Sequence, residues 1–127
     1  MRIVLIGAPS TTGAQGRMLA QLLGVPYLAS RAVGLESELA HHTAGFVLDG
    51  FPSTVAEAVS LDAFLRSRGA DLDVVLHLDE PDAAPVASVD ALLDHYRGRV
   101  VEVEATGGAD LVHERVLAGL REALVAA

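Results

Sequence analysis

Arg2-Ile3-Val4-Leu5-Ile6, running straight into Gly7-Ala8-Pro9-Ser10-Thr11-Thr12-Gly13-Ala14-Gln15-Gly16, is the stretch on which the fold turns. The first five residues read as a buried strand. The helical pattern Arg17-Met18-Leu19-Ala20-Gln21-Leu22-Leu23 follows the glycines. Strand, glycine-bearing loop and helix form the layout in which backbone N–H groups and a helix N-terminus face an anion. Such loops ordinarily end in Gly-Lys-Ser/Thr, and the lysine reaches the terminal phosphates. Here no lysine occurs anywhere: all nine basic residues are arginine. The pattern predicts a loop through Gly7–Gly16 and a helix over Gly13–Gly24. That helix would bury Met18, Leu19, Leu22 and Leu23 and end at Gly24.

Outward from that unit, strand-like apolar runs alternate with helical periodicity. Strands are expected at Ile3–Ile6, Pro26–Leu28, Gly45–Asp49, Asp73–Asp79 and Arg99–Val103. A weak helix is expected over Arg31–His42, interrupted by Gly34. A strong one is expected over Thr54–Gly69, with Val55, Ala58, Val59, Leu61, Phe64 and Leu65 as its stripe. A third spans Pro81 to about Tyr96, with Pro85 tolerable only in its first turn, and a fourth spans Asp110–Val125. Continuous apolar strands separated by helices imply a parallel sheet covered on both faces. The expectation is a three-layer α/β/α domain occupying residues 1–127, with right-handed crossovers. Ligands of such folds sit beyond the carboxyl ends of the strands. The glycine loop, Asp49 and Asp79 all fall at that edge.

The 127 residues carry a net charge of −8 and no cysteine. The charge argues against nucleic acid and an acidic membrane surface as partners. It also opposes a polyanion unless arginines gather locally. No apolar run reaches the ~18 residues of a membrane span, and Met1-Arg2 does not open like a signal peptide. A cytoplasmic location is the default expectation.

Four segments resemble the adenylate kinases and related bacterial nucleoside monophosphate kinases. Ile3–Pro9 is similar to their entry into the phosphate loop, and Leu23–Leu28 (L-G-V-P-Y-L) to their link from first helix to second strand. Gly45–Thr54 (G-F-V-L-D-G-F-P-S-T) follows the family signature G-F-[VIL]-L-D-G-[FY]-P-R-T in all but one position. Val101–Gly107 (V-E-V-E-A-T-G) is similar to a V-x-V-D-G-T-G stretch near the family's C-terminus. The resemblance implies a P-loop NTPase-like sheet in strand order 2-3-1-4-5. It implies a Mg-ATP or other nucleotide site at Gly7, Pro9, Ser10, Thr11, Thr12, Gly13 and Ala14, with Gly50 and Gly107 near it. Asp49 is then a carboxylate associated with Mg²⁺ through water.

Departures from that pattern bear on activity. Aligned without gaps, Gly13 falls where the lysine belongs. Aligned to keep G-T-Q as Gly13-Ala14-Gln15, the lysine is deleted. The signature arginine is Ser53, and the glutamine that reads adenine in the family is Glu57. Two further family arginines fall at about Leu35 and Ser88. The monophosphate-binding insertion between Ser30 and Gly45 is shortened, and only Ala91–Arg99 occupies the place of the lid. Arg17, Arg31, Arg97 and Arg99 are the candidate substitute cations.

Each residue also has a plainer reading. Asp49 is equally a strand-end aspartate capping the Gly50 turn, and the loop equally a tight strand-to-helix turn. His41-His42 reads as a solvated helix end, His77 as a packed, hydrogen-bonded histidine, and Asp79-Glu80 as an acidic loop. Gly107-Gly108 reads as a turn or as backbone beside adenine. Three functions are compatible with this. The first is a degenerate adenylate-kinase-like domain with weak nucleotide or phosphate binding and little phosphotransfer. The second is an active kinase (ATP + AMP to 2 ADP) using relocated arginines. The third is an interaction protein without a nucleotide, whose apolar surface a protein partner or a second copy would cover.

Overall fold

The computed structural model describes residues 1–29, 35–80 and 89–126. Five β/α units follow one another: β1 (Arg2–Gly7), α1 (Pro9–Leu23), β2 (Tyr27–Ala29), α2 (Leu35–His41), β3 (Phe46–Asp49), α3 (Val55–Ser67), β4 (Val74–Asp79), α4 (Val89–His95), β5 (Val100–Glu104) and α5 (Ala109–Ala126). The sheet has the order β2-β3-β1-β4-β5, and every pairing is parallel. Order and direction are those expected from the sequence. Arg31 and the Pro81–Ser88 start of the helix expected from Pro81 to about Tyr96 lie outside the described residues.

The two-residue period of the strands builds the two core layers. Val4 and Ile6 of β1 join Phe46, Leu48 and Val75 beneath α3 and α4, where Leu61, Leu65, Leu92 and Tyr96 meet them. Ile3 and Leu5 point the other way, joining Val47, Leu76 and Leu78 beneath α1 and α5. Leu19, Val112 and Val116 complete that layer.

Helix α1 departs most from expectation. It begins at Pro9, four residues before Gly13, and Ala8 alone separates it from β1. Proline suits a first helical position because its fixed φ is already helical and its missing N–H would be unpaired there. The N–H groups of Thr11 and Thr12 both donate to the Ala8 carbonyl at 3.0 Å. The helix then buries its small face, with Thr12, Gly13, Gln15, Gly16, Leu19 and Ala20 inward. Leu22 is 59% exposed and Leu23 37%, against the expected apolar face. Gly16 explains the rotation: a Cβ there would lie 2.5 Å from Tyr27 Cε1 and 2.9 Å from Leu5 Cδ1. Only a bare glycine lets α1 approach β1 and β2 so closely. In α3, Val59 likewise proves exposed while Ala58, Leu61 and Leu65 are buried.

Candidate functional site

Parallel strands bring their carboxyl ends to one edge, and a cavity of about 390 Å³ opens there. Gly7, Pro9 and Thr12 form one wall. Asp49, Gly50, Pro52 and Ser53 form the opposite wall. Leu5, Ile6, Ala29, Val89 and Leu92 also line it. Of the residues singled out from the sequence, Gly7, Pro9, Thr12, Asp49 and Gly50 are therefore gathered in one place. Ser10, Thr11, Gly13, Ala14 and Gly107 do not line it.

The expected phosphate loop is not an arc of free N–H groups, because Pro9 to Gly16 are helix. No side chain caps the start of α1. In its first turn the Thr11 hydroxyl donates to Glu80, the residue immediately after β4. A carboxylate of the chain thus stands where the helix dipole would favour an anion. Glu80, expected to be merely part of an acidic loop, has a specific partner.

Asp49 does not cap the Gly50 turn among the described residues; its Oδ2 accepts a hydrogen bond from the Tyr27 hydroxyl at 2.5 Å. The pairing follows from strand register, since Ala29 lies opposite Asp49 and Tyr27 is two residues back on the same face. Burial, and after it the bond to Asp49, pushes the Tyr27 phenol up to about 12. The Arg17 guanidinium lies 5.4 Å from the centre of the Tyr27 ring. It also reaches back beside Gly13, where a Cβ would sit 3.8 Å from its Nη1. Arg17 is thus close to the position of the missing lysine but does not line the cavity.

On the opposite wall, two residues that depart from the family pattern have joined each other. Glu57 Oε1 accepts from the Ser53 N–H at 2.9 Å and from the Ser53 hydroxyl at 2.7 Å. The Thr54 hydroxyl accepts from the Glu57 N–H at 3.2 Å. This is a capping box in which the glutamate reaches one residue beyond the N-cap. The Ser53 hydroxyl and N–H hold the Glu57 carboxyl below the usual carboxylate range.

The other candidate cations lie elsewhere. Arg97 pairs with Asp94 at 2.7 Å and is 82% exposed. Arg99 lies over the Tyr96 ring at 5.8 Å and lines a second cavity with Asp73, Gly98 and Val100. Both arginines precede β5, so they sit at the amino-terminal edge of the sheet, opposite the cleft. Neither lines the cleft. His77 is not hydrogen-bonded as expected: its Nδ1 has no partner among the described residues and lies 3.7 Å from Glu102. Gly107 has φ 95° in the turn before α5, which favours its plainer reading. Gln15 ties α1 to α5 through a 2.9 Å bond to the Ala109 carbonyl.

No group of three or more potential metal ligands occurs among the described residues. Sequence reasoning missed Tyr27 and the partners of Glu80 and Glu57. Tyr27 and Asp49 are joined only by the β2–β3 pairing. Glu57 was visible as Thr54-x-x-Glu57, a capping-box spacing.

The sheet order, the parallel pairing and the edge cleft define a P-loop NTPase-like α/β fold. A shikimate kinase from Aquifex aeolicus shares it, with a TM-score of 0.61, 16% identity and coverage of the whole of both chains. The sequence carries the likeness further: it is similar to adenylate kinases along nearly its whole length, as its motifs indicated. The adenylate kinase of Nocardia farcinica is 27% identical over 94% of this chain and 99% of that protein. That of Rhizobium meliloti is 29% identical over 85% and 71%. That of Moorella thermoacetica is 32% identical over 80% of this chain and 59% of the relative. No family model matches the chain.

Proposed function

We propose that this chain is an adenylate-kinase-like domain that has given up phosphotransfer and serves as a small-molecule-binding module, with at most weak affinity for nucleotide or phosphate. The observation that carries this is the Ser53–Glu57 pair. The two positions where the family would grip a monophosphate and read a base are here bonded to each other as the start of α3. Phosphoryl transfer depends on positioning and on cations that stabilise the equatorial oxygens. Mg-ATP fits these residues poorly. The chain has no lysine, α1 starts at Pro9, Glu80 occupies the Thr11 hydroxyl and Asp49 already binds Tyr27. The alignment with the Nocardia protein runs over 179 positions against 127 residues here. Gaps of that size support a shortened monophosphate insertion and an absent lid. The acidic charge and the absence of any membrane-length apolar helix among the described residues support a cytoplasmic protein that binds neither nucleic acid nor membrane.

The test is a coupled assay of ATP + AMP to 2 ADP. The expected result is background turnover; a rate above ~1 s⁻¹, the low end of ordinary enzymes, refutes the proposal. One observation favours the active alternative, namely the Arg17 guanidinium beside Gly13. If turnover is found and Arg17→Ala abolishes it, that alternative holds.

A further inference from the structure

We propose that the cleft at the carboxyl edge takes an apolar primary amine, with its ammonium group on Asp49, and rejects carboxylates and phosphates of the same shape. This rests on the binding-module reading and names the ligand class for it. The lining is mostly aliphatic: Leu5, Ile6, Ala29, Pro52, Val89 and Leu92. At about 390 Å³ the cavity is of small-ligand size. Among the described lining residues Asp49 is the one charged side chain. Its Oδ2 is held by Tyr27, and its Oδ1 accepts nothing from the described residues. The Ser53 hydroxyl is taken by Glu57, and the Thr12 hydroxyl is turned to the Pro9 carbonyl at 3.4 Å.

The charges around the cleft act in the same direction. Asp79 closes β4 and Glu104 closes β5, and Glu80 lies on the first turn of α1. Among the described residues no cation lines the cleft; Arg17 stacks over Tyr27, and Arg115 donates to the carbonyls of Glu104 and Thr106. An entering anion meets the Asp49 carboxylate, with Asp79, Glu80 and Glu104 along the same edge of the sheet, whereas an ammonium meets an oriented acceptor in a mostly apolar lining. A charge-assisted hydrogen bond in such surroundings is stronger than a neutral one.

Tryptamine, tryptophol and indole-3-acetate share one indole body and differ in the terminal group. The chain has no tryptophan, so indole fluorescence reports the probe alone. Titrations of the full chain at low and high salt should rank tryptamine about tenfold tighter than tryptophol, the scale of a hydrogen bond to a charged group. Indole-3-acetate should be weakest. Asp49→Asn keeps an oxygen acceptor for Tyr27 and should bring tryptamine down to the level of tryptophol. Ala29→Leu narrows the cavity and should weaken both. Indole-3-acetate binding as well as tryptamine, no binding of tryptamine, or an amine preference that survives Asp49→Asn overturns the inference. The ranking of the three probes on the unaltered chain stands as a test even if a variant does not fold. The coupled kinase assay on the same preparation judges the binding-module reading separately.

Discussion

Two identical substitutions three residues apart in α1, Gly13→Ala and Gly16→Ala, should move stability in opposite directions. Both glycines lie inside the helix Pro9–Leu23. Alanine is favoured over glycine in a helix interior by about 1 kcal/mol, and that gain applies to both. At Gly13 the added Cβ meets Arg17 Nη1 and the Tyr27 hydroxyl at 3.8 Å, an ordinary contact. At Gly16 it meets the Tyr27 ring at 2.5 Å and Leu5 at 2.9 Å. The ring must move by about 1 Å to reach ordinary separation, and its hydroxyl is anchored on Asp49. Overpacking of this kind costs about 1–3 kcal/mol, and a strained hydrogen bond to a carboxylate adds about 1 kcal/mol. The net expectation is a gain of about 0.5–1 kcal/mol for Gly13→Ala and a loss of about 1–3 kcal/mol for Gly16→Ala. For a domain of this size each kcal/mol shifts Tm by about 4 °C. Scanning calorimetry with matched urea titrations reads both. A lower Tm for Gly13→Ala would mean that Gly13 needs a backbone conformation alanine cannot take. The phosphate-loop arc would then be real, and the start of α1 at Pro9 wrong.

Removing the N-cap of α3 by Thr54→Ala should cost about 1 kcal/mol, read as a lower urea midpoint at unchanged slope; no change means that Glu57 and Ser53 hold the turn without it. The Tyr27 phenol, at about 12 in the fold against about 10 in an unfolded chain, makes a contribution to stability that is complete below pH 10. Between pH 10 and 12 the unfolded chain loses its proton first, so stability falls as pH rises. Tyr27→Phe should flatten that part of the curve, while Tyr96, also raised by burial, keeps its own share; an unchanged slope contradicts the assignment. Gly13→Lys, or a lysine inserted between Thr12 and Gly13, should raise sulfate affinity less than about tenfold, below the scale of a fully used charged hydrogen bond, and give no turnover in the coupled assay. Appreciable turnover by either variant means that the missing cation alone silences the domain.

Strand order, parallel pairing and the gathering of Gly7, Asp49 and Gly50 at one edge were legible in the residues. The parallel pairing follows from apolar runs, their spacing and the direction every β/α unit imposes, and the strand order from the resemblance to the adenylate kinases. The start of α1 was not legible. Glycines at 13 and 16 serve a flexible loop and a close helix–strand contact equally well, and only the position of Tyr27 on β2 shows which applies. The Tyr27–Asp49 bond joins residues 22 apart, and the Thr11–Glu80 bond joins residues 69 apart. Neither spacing carries any periodic signal. The candidate arginines show the same limit. In the sequence Arg17, Arg97 and Arg99 are equivalent cations. In the fold, strand direction sends Arg97 and Arg99 to the edge opposite the cleft and leaves Arg17 beside it. Charge can be counted along a chain, but the field at a site depends on distances that exist only once the sheet has formed.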